Sequence, residues 1–180
     1  MYRDNSLIPL EAMRIAALGV LAETPMRYAD VAADVRRFAS RIVGPSLDLM
    51  GSSVEVLRAE GLIAPVEDGA DPALGLTETG RADLITLLKA GLRATNTELN
   101  RLVVALKMRF LHLLPPHDRR EQIGLLHSLL TSERDRYVDL QASGGDPLFD
   151  HWLGFEIEVM NARLSWLERF ADRCDSGEAS

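Results

Sequence analysis

Residues 44–81 read GPSLDLMGSSVEVLRAEGLIAPVEDGADPALGLTETGR, and the order of signals in this stretch decides the fold. Gly44-Pro45-Ser46 breaks the chain. A helix is predicted from about Leu47 to Glu60, closed by Gly61, the residue best suited to the left-handed turn after a helix. Leu62-Ile63-Ala64 then reads as a short strand and Glu67-Asp68-Gly69-Ala70-Asp71-Pro72 as turn chemistry. Ala73 to Leu76 is the returning strand. Thr77 is placed to cap a further helix that carries Arg81, Leu84, Leu87 and Leu88.

Two helices precede this stretch. From Leu10 to Glu23 the apolar residues Leu10, Met13, Ala17, Val20 and Leu21 recur at steps of three and four, with Pro9 suited to the first turn. Thr24-Pro25 stops that helix. The next is expected from Tyr28 to about Ser40, with Val31, Val35 and Phe38 inward and Asp30, Asp34, Arg36 and Arg37 outward. Three short helices, a hairpin and a fourth helix form the order of a winged helix-turn-helix. The predicted fold is mainly α, with this module at residues 1–91.

The remainder carries a different signature. Gly91 to Asn96 reads as a joint, and Asn96 or Thr97 can cap a helix along Leu99, Leu102, Leu106, Phe110 and Leu113. Pro115-Pro116 ends it, and Asp118 is placed to cap a second helix through Ile123, Leu126, Leu130, Tyr137 and Leu140. After the loop Ser143-Gly144-Gly145-Asp146-Pro147, a last helix shows two stripes. One is Leu153, Ile157, Met160, Leu164 and Leu167; the other is Trp152, Phe155, Val159, Trp166 and Phe170. Three helices cannot easily bury so wide an apolar surface alone, and a second copy with the same surplus covers it. Residues 97–174 are therefore predicted to be a helical dimerisation domain, and 175–180 a disordered tail. Leu153, Phe155, Ile157, Met160, Leu164, Trp166 and Leu167 are the candidate interface of a homodimer. A self-contained three-helix bundle is the alternative.

Composition narrows the function. The chain has 180 residues, 47% of them hydrophobic, and a formal net charge of −7. It lacks any apolar run of the ~18 residues that a membrane span needs. The stretch from Met1 to Pro9 has no apolar signal region, and Cys174 is the single cysteine, so a cytoplasmic location without disulfides is expected. The acidic balance argues against indiscriminate nucleic-acid binding, which needs a basic surface. His112 and His117 stand five apart across two prolines, and His151 has Asp150 and Asp146 near it by proximity alone, so no metal is expected. Cys174 lies in the polar run Asp172-Arg173-Cys174-Asp175-Ser176, where acidic neighbours disfavour a thiolate. No nucleophile elbow, phosphate loop or dinucleotide fingerprint occurs, so neither an enzyme nor a cofactor is expected. Trp152 and Trp166, fourteen residues apart on similar faces, are packing residues or the walls of a flat aromatic pocket.

Five segments together resemble the PadR-like transcriptional regulators, in their virulence-activator-like branch. They are Ala17-Leu18-Gly19-Val20-Leu21-Ala22-Glu23-Thr24-Pro25-Met26; Gly44-Pro45-Ser46 with Val54, Leu57 and Glu60-Gly61-Leu62-Ile63; Leu76-Thr77-Glu78-Thr79-Gly80-Arg81; Phe110-Leu111-His112-Leu113-Leu114-Pro115-Pro116; and Arg119-Arg120-Glu121-Gln122. The resemblance implies a winged helix on DNA, a helical C-terminal domain, a homodimer on a palindromic operator, and in some members a small aromatic effector. This chain departs from the family pattern in charge. Gly51 stands where an aromatic is usual, Glu55 and Val56 stand where basic residues are usual, and Glu67 to Gly75 contains no basic residue. From Ile42 to Glu78, Arg58 opposes Asp48, Glu55, Glu60, Glu67, Asp68, Asp71 and Glu78, so the sum is 1 − 7 = −6.

Two functions follow. In the first, the third helix reads double-stranded DNA; Arg27, Arg36, Arg37, Arg41 and Arg58 with Ser46, Ser52 and Ser53 are the candidate contacts. In the second, fold and dimer persist while DNA contact is weakened or lost, leaving a ligand-sensing or protein-binding module.

Overall fold

The computed structural model describes residues 9–44, 53–92 and 98–176. It is mainly helical with one small antiparallel sheet: α1 (Pro9–Glu23), α2 (Tyr28–Val43), α3 (Ser53–Ala59), β1 (Ile63–Pro65), β2 (Leu74–Leu76), α4 (Glu78–Lys89), α5 (Glu98–Arg109), a single 3-10 turn (Leu111–Leu113), α6 (Pro116–Ala142) and α7 (Pro147–Ser176). Two compact units divide the chain at Leu114 and Pro115.

In the first unit α1 is the central rod. Ala12, Met13, Ile15, Ala16, Ala17, Leu18, Val20 and Leu21 are all buried, on every side of the helix. A helix apolar all round has to be surrounded, and α2, α3, α4, α5 and β2 pack on it. Its one basic residue, Arg14, pairs with Glu60 at 2.7 Å and Asp83 at 3.2 Å, tying α1 to the end of α3 and to α4.

The stretch from α3 to α4 follows its local signals closely. Gly61 takes φ +71°. Its N–H donates to the Arg58 carbonyl at 3.0 Å and the Leu62 N–H to the Leu57 carbonyl at 2.9 Å. That pair of bonds satisfies carbonyls a helix end leaves open, and glycine tolerates the positive φ without strain. β1 and β2 pair with Ile63 opposite Leu76, Ala64 opposite Gly75 and Pro65 opposite Leu74. Met26 extends the sheet, exchanging two backbone bonds with Leu74 at 3.0 and 2.8 Å. Thr77 caps α4, its hydroxyl accepting from the Gly80 N–H at 3.0 Å. A Cβ on Gly80 would lie 2.0 Å from the Leu62 carbonyl oxygen, so only glycine lets α4 approach the hairpin this closely.

The sequence reading departs from the structure at α5. The reading joins it to the C-terminal helices, whereas it packs on α1 and α2 within the first unit. Three anchors explain this. Phe110 is fully buried, and its ring fills the notch at Gly19, where a Cβ would stand 2.4 Å from the ring. Lys107 is 2% exposed and donates to the Leu88 and Ala90 carbonyls at 2.6 Å each. Those carbonyls close α4, where acceptors lack helical partners. Arg109 donates to Asp34 of α2 at 2.8 Å and lies over the Phe38 and Phe110 rings.

The second unit is an antiparallel pair, α6 and α7, packed along each other. α6 starts on Pro116 after Pro115, and Asp118 lies in its first turn instead of capping it. Gly144 at φ +76° helps turn the chain, and Asp146 accepts from the Leu148 N–H at 2.9 Å as α7 begins. Gln141 reaches across to the Asp150 carbonyl at 2.9 Å, and His127 faces Glu168 at 3.3 Å. α7 is helical through Ser176, so the expected tail is part of the helix at 175–176; 177–180 lie outside the described residues. Among the described residues no helix is long and apolar enough to cross a membrane.

Candidate nucleic-acid interface

The exposed side of α3 is the first place where base edges could be read. Its heptapeptide buries Val54 and Leu57 and turns Glu55, Val56, Arg58 and Ala59 outward. The helix is therefore neither buried nor uniformly negative. Ser46 and Ser52 lie outside the described residues, and of Ser53 only the helical backbone is described.

A cleft separates α3 from the hairpin tip and the start of α2. Tyr28, Val54, Glu55, Arg58, Ala70, Asp71, Pro72 and Leu74 line it. One cation, Arg58, faces two carboxylates there. Outside the cleft lining, Glu67 and Asp68 are exposed as well. Glu67 has a structural task, since its carboxylate accepts the Ala73 N–H at 3.2 Å and holds the loop closed. A hairpin tip of this charge repels phosphate, so any affinity for DNA has to come from elsewhere on the unit.

The other candidate cations lie at the start of α2 and along it, with Arg37 and Arg41 four residues apart on one face. Arg27 is exposed just ahead of α2, and Arg36 and Arg41 are exposed along it. Arg36 and Arg37 are adjacent, so they point about 100° apart around the helix. Arg37, 64% exposed at its side chain, is bonded to Asp34. Asp34, only 15% exposed, is bonded at once to Arg109 of α5. Burial raises the Asp34 carboxyl, but the hydrogen bonds from Arg109 and Arg37 outweigh it and hold the group below its ordinary range. No local signal in the sequence marks this bridge. Asp34 reads as one more solvent-facing residue of α2, and its partner is 75 positions away.

Lys107 is the second feature missed. Burial pushes its ammonium down to about 8. It sits in a core position between Leu106 and Arg109 because the end of α4 needs donors.

On α7 the candidate interface residues separate into two groups. Leu153, Met160, Leu164 and Leu167 are already buried within one chain, at 1–8% exposure. Ile157 is half-buried. The four buried residues belong to the chain's own packing and offer little surface to a second copy, while Ile157 keeps part of its surface. Phe155 and Trp166 stay exposed at 58% and 43%, beside Phe149 at 44% and Trp152 at 46%. Trp152 packs with Phe149 and Tyr137 at centroid distances of 5.6 and 6.2 Å, and Trp166 stacks on Phe170 at 4.9 Å. Fourteen residues place the tryptophans about 21 Å apart along the axis. Within one chain they cannot wall a single small-molecule pocket.

One set of groups among the described residues has metal-ligand spacing: His117, Asp118 and Glu121, with ligand atoms within 4.8 Å of one another. His117 is 89% exposed, and the positive pole at the start of α6 opposes a cation there.

Residues 2–171 match the family described as "Putative AphA-like transcriptional regulator". No curated protein matches the chain.

Proposed function

The chain belongs to the AphA-like family of transcriptional regulators, and on that premise we propose that it is a homodimeric DNA-binding regulator of PadR-like type. The first unit acts as a winged helix in this reading: α3 enters the major groove, β1 and β2 form the wing, and α2 crosses the backbone. One observation carries it. The order α1-α2-α3-β1-β2-α4, with Met26 paired to β2 and α3 turned outward, lies in a chain that the family matches nearly end to end.

Phosphate contact falls to Arg27, Arg36, Arg37 and Arg41, and base contact to the outward residues of α3. Arg58 is suited to guanine, because its fork matches two acceptors on that base. The homodimer forms through the exposed stripe of α7, with Phe155 and Trp166 at its centre. Each large aromatic removed from water contributes roughly 1.5–3 kcal/mol to association. The reading includes no catalytic step, no cofactor and no membrane contact; the cytoplasm is where such a regulator works.

A second reading rests on the charge of the cleft. Glu55 and Asp71 flank Arg58, and Asp68 extends the negative surface. In this reading the dimer has given up DNA and presents the acidic face to a protein, or senses a small aromatic compound where two α7 helices bring tryptophans together.

Selection of bound duplexes from a random pool separates the two. Enrichment of an inverted repeat is the expected result and supports both DNA binding and two-fold symmetry. A pool with no enrichment at low salt removes the first reading. Sedimentation at micromolar concentration should give twice the 19.9-kDa chain mass; a single-chain species defeats the dimer.

A further inference from the structure

We propose that Arg109 of α5 sets the charge that α2 offers to DNA, by neutralising Asp34 so that Arg37 keeps its own charge for phosphate. The proposal deepens the DNA-binding reading above and rests on it.

One carboxylate is shared by two guanidinium groups of opposite situation. Arg109 is held in the fold: its side chain is 25% exposed, its guanidinium carbon lies 4.9 Å from the Phe38 ring centre and 5.0 Å from that of Phe110, and its Nη2 donates to Asp34 Oδ2 at 2.8 Å. Arg37 bonds the other oxygen from the solvent side, with 64% of its side chain exposed. The trio sums to 2 − 1 = +1. Arg109 is fixed by stacking on two rings, so the net charge is offered to solvent at Arg37.

Withdrawing Arg109 changes the sum without touching Arg37. Asp34 then has one counter-ion, and Arg37 becomes half of a neutral pair. A displacement of α5 by the length of one hydrogen bond has the same effect. The packing of α5 against α2 thus sets how strongly the unit holds the DNA backbone.

Binding of the full-length chain to a duplex recovered from the random pool tests this, with the affinity measured against salt. Each neutralised phosphate contributes about 0.9 to the slope of log K against log salt. Arg37→Ala should reduce the slope by about that amount. Arg109→Gln keeps an amide donor near Asp34 but no charge, and should reduce the slope equally although Arg37 is intact. Arg109→Gln with Asp34→Asn should restore the wild-type slope, because Arg37 is released. Arg109→Lys should retain it. A merely structural role for Arg109 predicts no recovery in the double variant, and circular dichroism with thermal midpoints reads any loss of fold separately. The proposal is overturned by an Arg109→Gln slope equal to wild type, or by a folded double variant whose slope stays low. A wild-type chain that binds no duplex removes the DNA-binding reading as well; wild-type binding with insensitive variants removes this proposal alone.

Discussion

The first unit closes on itself and the second does not. Among the described residues the large apolar side chains of α1 are all buried, and three charged groups around it have defined partners: Arg14 with Glu60 and Asp83, Lys107 with two carbonyls, Arg109 with Asp34. The α6–α7 pair buries one stripe of α7 and leaves Leu148, Phe149, Trp152, Phe155 and Trp166 exposed. Two helices have only one shared seam, so a helix with two apolar stripes keeps one in water. The contrast teaches that helical content alone does not make a finished domain. What counts is whether each apolar face has an opposing surface in the same chain.

If that contrast is right, substitutions in the two units behave differently. Phe110→Ala should cost about 3–5 kcal/mol, because it empties the notch against Gly19 and removes the main anchor of α5. In urea unfolding this loss should be independent of protein concentration. Phe155→Glu should act on assembly instead. Burying a carboxylate twice at a two-fold seam should weaken association at least about tenfold, and sedimentation should show the single-chain mass at concentrations where the wild type is paired. An unaltered mass would place the seam elsewhere.

Lys107 offers a smaller and pH-dependent effect. Its folded value of about 8 lies below the ordinary 10.5. Between those values the unfolded chain holds a proton that the folded chain has released, so stability rises with pH across that window. The rise should be at most about 3–4 kcal/mol, and Lys107→Met should abolish it when unfolding midpoints at neutral pH and near the top of the window are compared. The neutral amine still has N–H donors for the Leu88 and Ala90 carbonyls, so the fold should persist throughout.

The smallest effect belongs to the hairpin tip. Glu67→Ala removes one acceptor for the Ala73 N–H in an exposed loop and should cost within about 1 kcal/mol. Thermal unfolding measures it. A much larger loss would mean that the tip is tied into the core.

Legibility followed the range of the interactions. The Thr77 cap, the Gly61 turn, the two short strands around 63–76 and the loop before Pro147 all depend on residues a few positions apart, and each is visible in the sequence. The two stripes of α7 were also legible, since helical period alone separates Leu153, Met160, Leu164 and Leu167 from Trp152, Phe155 and Trp166. Which stripe the chain covers was not, because that depends on where α6 lies. The same holds for α5. Its apolar steps fit either unit, and the choice was made by a glycine notch, a lysine under a helix end and an arginine bridge. Of the candidate DNA contacts, Arg36 and Arg37 are exposed on α2 as their outward positions predict, and Arg27, Arg41 and Arg58 are exposed too. The Asp34–Arg37 pair is three residues apart on one helix and legible; the bridge from Asp34 to Arg109 carries no sequence signature.

The sequence by itself determined the order of the elements and the closures at Gly61 and Thr77, because turns and helix ends are closed by neighbours along the chain. It determined as well that the chain carries more apolar surface than its last helices can hide. Tertiary structure alone decided which unit α5 joins, which stripe of α7 stays in water and which arginine shares its carboxylate. Those outcomes depend on groups far apart in sequence meeting in space, and a buried charge or a ring in a notch is selected by what surrounds it in three dimensions.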